Sequence, residues 1–135
     1  MSSEEAAIDR MLQARRIAVV GLSDDPSRPS YGVARYLINS GLDVVPVNPN
    51  CKAVLGRPSY ASLVEVPGPI DLVDVFRRPE YCADIARQAV AIGAKGLWLQ
   101  SGIESEEARR IAESAGISFV QDRCLMIEHA NRTKP

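Results

Sequence analysis

Short apolar runs rich in β-branched residues alternate along this chain with segments of helical period. That alternation is typical of βαβ units built around a parallel sheet. The strands are predicted, in chain order, at residues 16–21, 43–47, 71–76, 96–100 and 117–121. The sequence therefore predicts an α/β fold, a three-layer sandwich in which a mostly parallel sheet of about five strands carries helices on both faces.

The segments between the strands predict three helices. Each ends at a glycine suited to a left-handed C-cap, namely Gly41, Gly93 and Gly116. Pro79 suits the first turn of the second helix, and Ser105 suits the N-cap of the third. Residues 1–15 predict a further helix packed beside the sheet, opened by a capping-box pair of Ser2 and Glu5.

The length and charge of the chain limit its class. We expect 135 residues to form one domain over residues 1–135, with a flexible tail at 130–135. A formal net charge of -1 provides no positive field for nucleic acid or an acidic membrane. No apolar run approaches the roughly 18 residues of a membrane span, so neither partner is expected.

The cysteines and the single histidine also bear on compartment and metal binding. Cys51, Cys82 and Cys124 are an odd number with no close pair, which suits reduced thiols better than a disulfide framework. His129 is the only histidine, and the spacing matches no zinc motif. We therefore expect a cytoplasmic protein without a metal site.

A polar loop follows the first strand in the stretch "VVGLSDDPSRPSYGV". Gly21, Ser23, Arg28 and Ser30 precede the free backbone N–H groups of a helix N-terminus, a combination that suits a phosphate. In the alternative reading, 24–26 form a plain turn and Ser30 caps the helix. The phosphate reading requires that the two aspartates point outward and Arg28 inward.

The ends of the other strands decide between ligands, because a doubly wound sheet binds them beyond the carboxyl ends of its strands. A nicotinamide site would have G-x-G-x-x-G in the first loop and an acidic residue about 20 positions later. This chain has neither, and its second strand instead leads into "VNPN" and Lys52, which favours an extra phosphate near the ribose. Phe76, Arg77 and Arg78 follow the third strand, and an arginine can fork onto phosphate oxygens.

Five motifs in order, "VVGLSDDPSRPSYGVARYL", "VVPVNPN", "VDVFRRPE", "WLQSGI" and "DRCLMIEH", resemble the small bacterial CoA-binding proteins. That family is a stand-alone relative of the CoA-binding domain of the succinyl-CoA synthetase alpha subunit. The resemblance implies a Rossmann-like fold with coenzyme A or an acyl-CoA as its ligand. By motif it implies a cofactor site at Gly21, Ser23, Arg28, Ser30, Tyr31, Val47, Asn48, Pro49, Lys52, Phe76, Arg77, Pro79, Gln100, Ser101 and Gly102.

The resemblance also implies which part of coenzyme A each segment of that site binds. The loop from Gly21 to Ser30 takes the pyrophosphate, while the end of the second strand and Lys52 take the adenosine and its 3′-phosphate. Gln100, Ser101 and Gly102 lie nearest the pantetheine arm. The relatives commonly have a basic residue where this chain has Met126.

The sequence favours a binding protein over an enzyme, because it offers no Ser/His/Asp set, metal cluster or catalytic carboxylate pair. His129 does not stand in the context of the phosphorylated histidine of the synthetase. The expected role is CoA carrying, CoA sensing or service as a partner subunit, with a second copy or an acyl-CoA enzyme as protein partner. The alternatives are a regulator that responds to nicotinamide or adenine nucleotides, and an enzyme that uses Cys51 or Cys124 as nucleophile.

Overall fold

The computed structural model describes residues 3–133, which form helices packed on both faces of a five-stranded parallel sheet. The elements in chain order are α1 (Ser3–Met11), β1 (Arg16–Val20), α2 (Pro29–Asn39), β2 (Asp43–Val47), β3 (Ala53–Val54), β4 (Arg57–Pro58), a 3₁₀ helix (Leu63–Glu65), β5 (Leu72–Val75), α3 (Pro79–Ala91), β6 (Gly96–Leu99), α4 (Glu106–Ser114), β7 (Ser118–Val120) and α5 (Leu125–Thr133). The predicted fold class is confirmed.

The order of strands in the sheet is β2-β1-β5-β6-β7. β1 lies between β2 and β5, so that Val20 pairs with Val47 on one side and with Val75 on the other. The chain moves outward from β1 in both directions, which makes the carboxyl end of β1 the topological switch point of the sheet. Ligands of doubly wound sheets bind at such a point.

Two apolar cores lie on the two faces of the sheet. α3 and α4 cover one face and bury Ile85, Ala89 and Ala112 against it. α1, α2 and α5 cover the other face, where Ile8 and Trp98 are among the fully buried side chains. The strands are buried on both sides, and this explains why they read in the sequence as continuous apolar runs.

The ends of the three helices between the strands follow the sequence prediction. Gly41, Gly93 and Gly116 all adopt positive φ just beyond their helices. Pro79 occupies the first turn of α3, and the Ser105 hydroxyl oxygen caps α4 by accepting a hydrogen bond from the Ala108 N–H at 3.1 Å. Ser2, the predicted capping partner of Glu5, lies outside the described residues.

The carboxyl end of the chain differs from the expected tail. α5 runs from Leu125 to Thr133 and packs against the sheet, so the tail predicted at 130–135 is helical as far as Thr133. Contacts with α1 explain the difference, because Arg132 of this segment forms ion pairs with Glu5 and Asp9. Residues 134–135 lie outside the described residues.

Candidate functional site

Gly21 marks the closest approach between two strand ends at the switch point. It follows β1 with φ +87°, and a Cβ placed on it would lie 2.6 Å from the Phe76 carbonyl oxygen and 3.0 Å from Cδ of Arg77. Its N–H donates to the Val47 carbonyl at 2.8 Å. Only glycine fits this position, and its presence lets the loops after β1, β2 and β5 meet.

The loop after β1 is held by its own hydroxyl and carboxylate groups. The Ser23 N–H donates to the hydroxyl oxygen of the buried Ser30 at 3.0 Å, and the Ser23 hydroxyl oxygen accepts from the Asp25 N–H at 3.0 Å. Hydrogen bonds from the N–H and hydroxyl of Ser27 lower the pKa of Asp25 below its ordinary 3.8. Asp24, Asp25 and Arg28 are all exposed, so the loop presents charges of both signs to the solvent.

Asn48 joins the loop after β2 to the loop after β1. Its side-chain amide donates to the Leu22 carbonyl at 3.0 Å, and its side-chain oxygen accepts from the Asn50 N–H at 2.9 Å. Its backbone N–H donates to the Tyr60 carbonyl at 2.8 Å, which fastens the loop to the segment after β4. Both ends of the Asn48 side chain are therefore used to hold this corner in shape.

Arg77 follows β5 and lies on an aromatic ring at the same edge. Its guanidinium stands 4.4 Å from the centroid of the Tyr81 ring on α3, while Phe76 packs toward the opposite core. Stacking on an aromatic ring orients a guanidinium without using up all of its N–H donors. Arg77 is half-buried and keeps donors for an anion at this edge.

A cavity of about 120 Å³ lies between these loops and α3, and its wall includes Pro49, Arg77, Tyr81 and Gln88. The Gln88 amide donates to Asp84 at 2.9 Å, which fixes the orientation of its side chain. The Gln88 carbonyl oxygen is buried and accepts no hydrogen bond within the described chain. An oxygen enclosed in this way is a buried polar group without a partner, and it does not open into the cavity.

The turn after β6 is tied to the segment that joins β7 to α5. The buried Gln100 side chain accepts from the Leu125 N–H at 3.1 Å, and the Gly102 N–H donates to Asp122 at 2.7 Å. The Trp98 indole N–H donates to the Arg123 carbonyl at 2.8 Å. Gln100 thus caps α5 through its oxygen, while Ser101 and Gly102 remain exposed at the sheet edge.

The structure joins part of the predicted site by direct contact. Gly21, Val47, Asn48, Phe76 and Arg77 meet at the carboxyl ends of β1, β2 and β5, as the contacts above show. The other predicted site residues do not contact these five residues in the ways described above. Arg28 is exposed directly before α2, and Tyr31 is half-buried within that helix. Pro79 is exposed in the first turn of α3, and Lys52 is exposed just before β3.

Sequence reasoning missed the contribution of α3 to this edge. Tyr81, Asp84 and Gln88 line the small cavity together with Arg77. Their spacing of three and four residues places them on one helical face, and that spacing was the available signal. These three side chains are polar or aromatic, so their pattern in the sequence resembles that of an ordinary solvent-facing side of a helix.

His129 lies away from these strand ends, whereas the Cys82 thiol lies beside them, 3.8 Å from the Arg77 carbonyl oxygen. His129 lines a cavity together with Arg15 and Leu42. These two residues directly precede β1 and β2, so His129 lies at the amino edge of the sheet. Burial raises the pKa of the Cys82 thiol to about 11. Among residues 3–133 no three His, Cys, Asp or Glu side chains form a metal site, and none of the helices found there has the length and apolar character of a membrane span.

A switch point where three strand-end loops meet over a glycine defines the class as the Rossmann-like α/β domains, which bind ligands at that point. The CoA binding domain family has a model that matches residues 15–130, and the chain belongs to this family.

Two relatives of similar length support this assignment. The chain is 39% identical to protein YneT of Bacillus subtilis, over 93% of this chain and 94% of that protein. It is 37% identical to a hypothetical protein of Pyrococcus horikoshii with a solved structure, at a TM-score of 0.90 over 96% of this chain and 92% of that one.

A third relative is much longer than this chain. The acetate–CoA ligase (ADP-forming) II alpha subunit of Pyrococcus furiosus is 30% identical over 92% of this chain. The match spans only 30% of that subunit. The similarity therefore concerns a part of that subunit and not the whole of it.

Proposed function

We propose that this protein binds coenzyme A, or an acyl-CoA, without transforming it. The observation that carries the proposal is the meeting of the loops after β1, β2 and β5 at Gly21, within a chain of the CoA binding domain family. The pyrophosphate then lies on the loop from Gly21 to Ser30, at the N-terminus of α2. The positive end of that helix and the guanidinium of Arg28 or Arg77 supply the opposing charge.

The adenosine half lies toward β2 and α3 in this proposal. Pro49 and Tyr81 line the small cavity on that side of the switch point. Lys52 stands exposed after the β2 loop and offers an ammonium group for the 3′-phosphate. The pantetheine arm then runs along the edge of the sheet toward Ser101 and Gly102.

A binding role without catalysis is supported by what surrounds the crevice. Among the described residues, His129 lies at the opposite edge of the sheet. Cys51 and Cys124, the thiols that an enzyme could use as nucleophile, are half-buried against the core that α1, α2 and α5 form. The protein then acts as a CoA carrier, a CoA sensor or a partner subunit of an acyl-CoA enzyme in the cytoplasm. Its protein partner is then either that acyl-CoA enzyme or a second copy of this chain.

The test is a thermal-shift and calorimetry panel with CoA, dephospho-CoA, ADP, NAD and NADP. Ligand at about 100 times its Kd stabilises the folded state by about 2.7 kcal/mol, which raises the Tm of a domain of this size by several degrees. We expect CoA to give the largest shift and dephospho-CoA a smaller one. A shift with NAD and none with CoA would overturn the proposal in favour of a nicotinamide-responsive regulator.

Lys52→Met tests the 3′-phosphate contact. An exposed charge pair contributes about 1 kcal/mol, so the variant is expected to bind CoA about fivefold more weakly and dephospho-CoA as before. Lys95→Met is the matched control, because Lys95 is exposed and lies beside Asp71 at the amino edge of the sheet. Equal losses in the two variants, or an equal loss for both ligands, would exclude a specific contact at Lys52.

A further inference from the structure

A second cavity, of about 600 Å³, lies at the carboxyl ends of β6 and β7, directly beside Ser101. We call it the β6–β7 cavity. Its wall includes residues from the loops after both strands, from α1 and from the first turns of α4 and α5. The side chains that matter for its charge are Glu4, Glu104, Arg109, Asp122, Arg123 and Glu128.

The two arginines of this wall are already neutralised by carboxylates. Arg123 lies 2.6 Å from Glu4 and 3.5 Å from Glu128, and these contacts hold α1 against α5. Arg109 lies 3.4 Å from Glu106 and 3.6 Å from Glu113 on its own helix. Neither guanidinium is therefore free to attract a further anion into the cavity.

Two other carboxylates of the wall have no cation beside them. Glu104 is exposed and forms no ion pair within the described residues. Asp122 forms none there either, and its carboxylate is turned to the Gly102 N–H at 2.7 Å. The cavity wall next to Ser101 and Gly102 thus carries uncompensated negative charge.

We infer that this cavity receives the acyl end of the ligand and selects CoA thioesters whose acyl group carries no carboxylate. The inference rests on the proposed function, in which the pantetheine arm ends at Ser101 and Gly102. A dicarboxylic acyl group, such as succinyl, brings a negative charge against Glu104 and Asp122. Like charges that face one another in a binding site oppose association, and the effect weakens with salt.

The experiment compares the Kd values of CoA, butyryl-CoA and succinyl-CoA by calorimetry at low ionic strength. Butyryl and succinyl groups have the same number of carbons and differ in the terminal carboxylate. We expect succinyl-CoA to bind about tenfold more weakly than butyryl-CoA. Glu104→Gln is expected to bring the ratio of the succinyl-CoA and butyryl-CoA Kd values closer to one, and adding Asp122→Asn reduces that ratio further.

Glu107→Gln is the control variant, since it removes the same charge from α4 at a residue that pairs with Arg87 and lies outside the cavity wall. In this variant the ratio of the Kd values of succinyl-CoA and butyryl-CoA is expected to equal that of the unmodified protein. Equal Kd values for succinyl-CoA and butyryl-CoA, or a ratio that Glu104→Gln leaves unchanged, would overturn the inference while CoA binding stands. If the unmodified protein does not bind CoA in this experiment, the proposed function is refuted, and the inference fails with it.

Discussion

Asp74 is a carboxylic acid enclosed in the middle of the sheet. It lies on β5 in register with Val19 of β1 and Trp98 of β6, it is fully buried, and neither of its oxygens has a hydrogen-bond partner within the described chain. Burial raises the pKa of Asp74 well above its ordinary 3.8. Asp74→Asn keeps the size of the side chain and removes its ionisation, so it isolates this effect.

The expected magnitude follows from the proton that each state binds. Below pH 3.8 the carboxyl is protonated in the folded and unfolded states alike. Between that value and the raised pKa only the folded state keeps the proton, so rising pH favours unfolding by about 1.4 kcal/mol per pH unit. For a domain of this size that is roughly 4–6 °C of Tm per pH unit.

The assay is urea or thermal unfolding of both proteins at a series of pH values that extends to both sides of 3.8. We expect the free energy of unfolding of Asp74→Asn to rise steadily above that of the unmodified protein as the pH increases. Asp71→Asn is the control, because hydrogen bonds from the N–H groups of Arg16 and Arg15 lower the pKa of Asp71. The ionised Asp71 carboxylate stabilises the folded state above pH 3.8, and this stabilisation is lost on acidification. Asp71→Asn therefore lowers the free energy of unfolding above pH 3.8, whereas Asp74→Asn raises it. Parallel pH curves for Asp74→Asn and the unmodified protein would show that Asp74 is not held neutral.

Two further substitutions test the geometry of the loops and helix ends. Gly21→Ala is expected to cost more than about 2 kcal/mol in urea unfolding, because its Cβ meets the Phe76 carbonyl at 2.6 Å, and to abolish CoA binding. Gly41→Ala has the same positive φ but open space around its Cβ, so it costs about 1 kcal/mol, and an equal cost at both positions would refute the close-approach argument. Ser105→Ala removes the cap on Ala108 and is expected to cost about 1 kcal/mol, whereas Ser105→Asp restores it; an Asp variant no more stable than the Ala variant would contradict the capping role.

The five strands were predictable from the sequence because parallel strands are buried on both faces and read as uninterrupted apolar runs. Their ends were less well defined. Gly21 was assigned to the first strand and lies just beyond β1, although its N–H still bonds to β2. The helix ends were predictable because glycine and serine signals are local.

α5 was not predictable in this way, because its start is capped from a distance. The first N–H of the helix, on Leu125, is satisfied by the side chain of Gln100, which follows β6, and no capping residue of its own precedes it. The α3 wall of the small cavity was missed for a related reason. The helical spacing of Tyr81 and Gln88 is visible in the sequence, but the face that meets β1 and β2 is set by packing. Whether the predicted residues bind CoA stays a prediction.

The contact between the two terminal helices has a consequence for the order of folding. Arg132 of α5 forms ion pairs with Glu5 and Asp9 of α1, and Ile8 of α1 is buried in the same core as Leu125. These partners are separated by almost the whole chain, so loop closure makes their contact late. α1 precedes β7 and α5 in the chain, so its complete docking surface exists only after both of those elements have been synthesised.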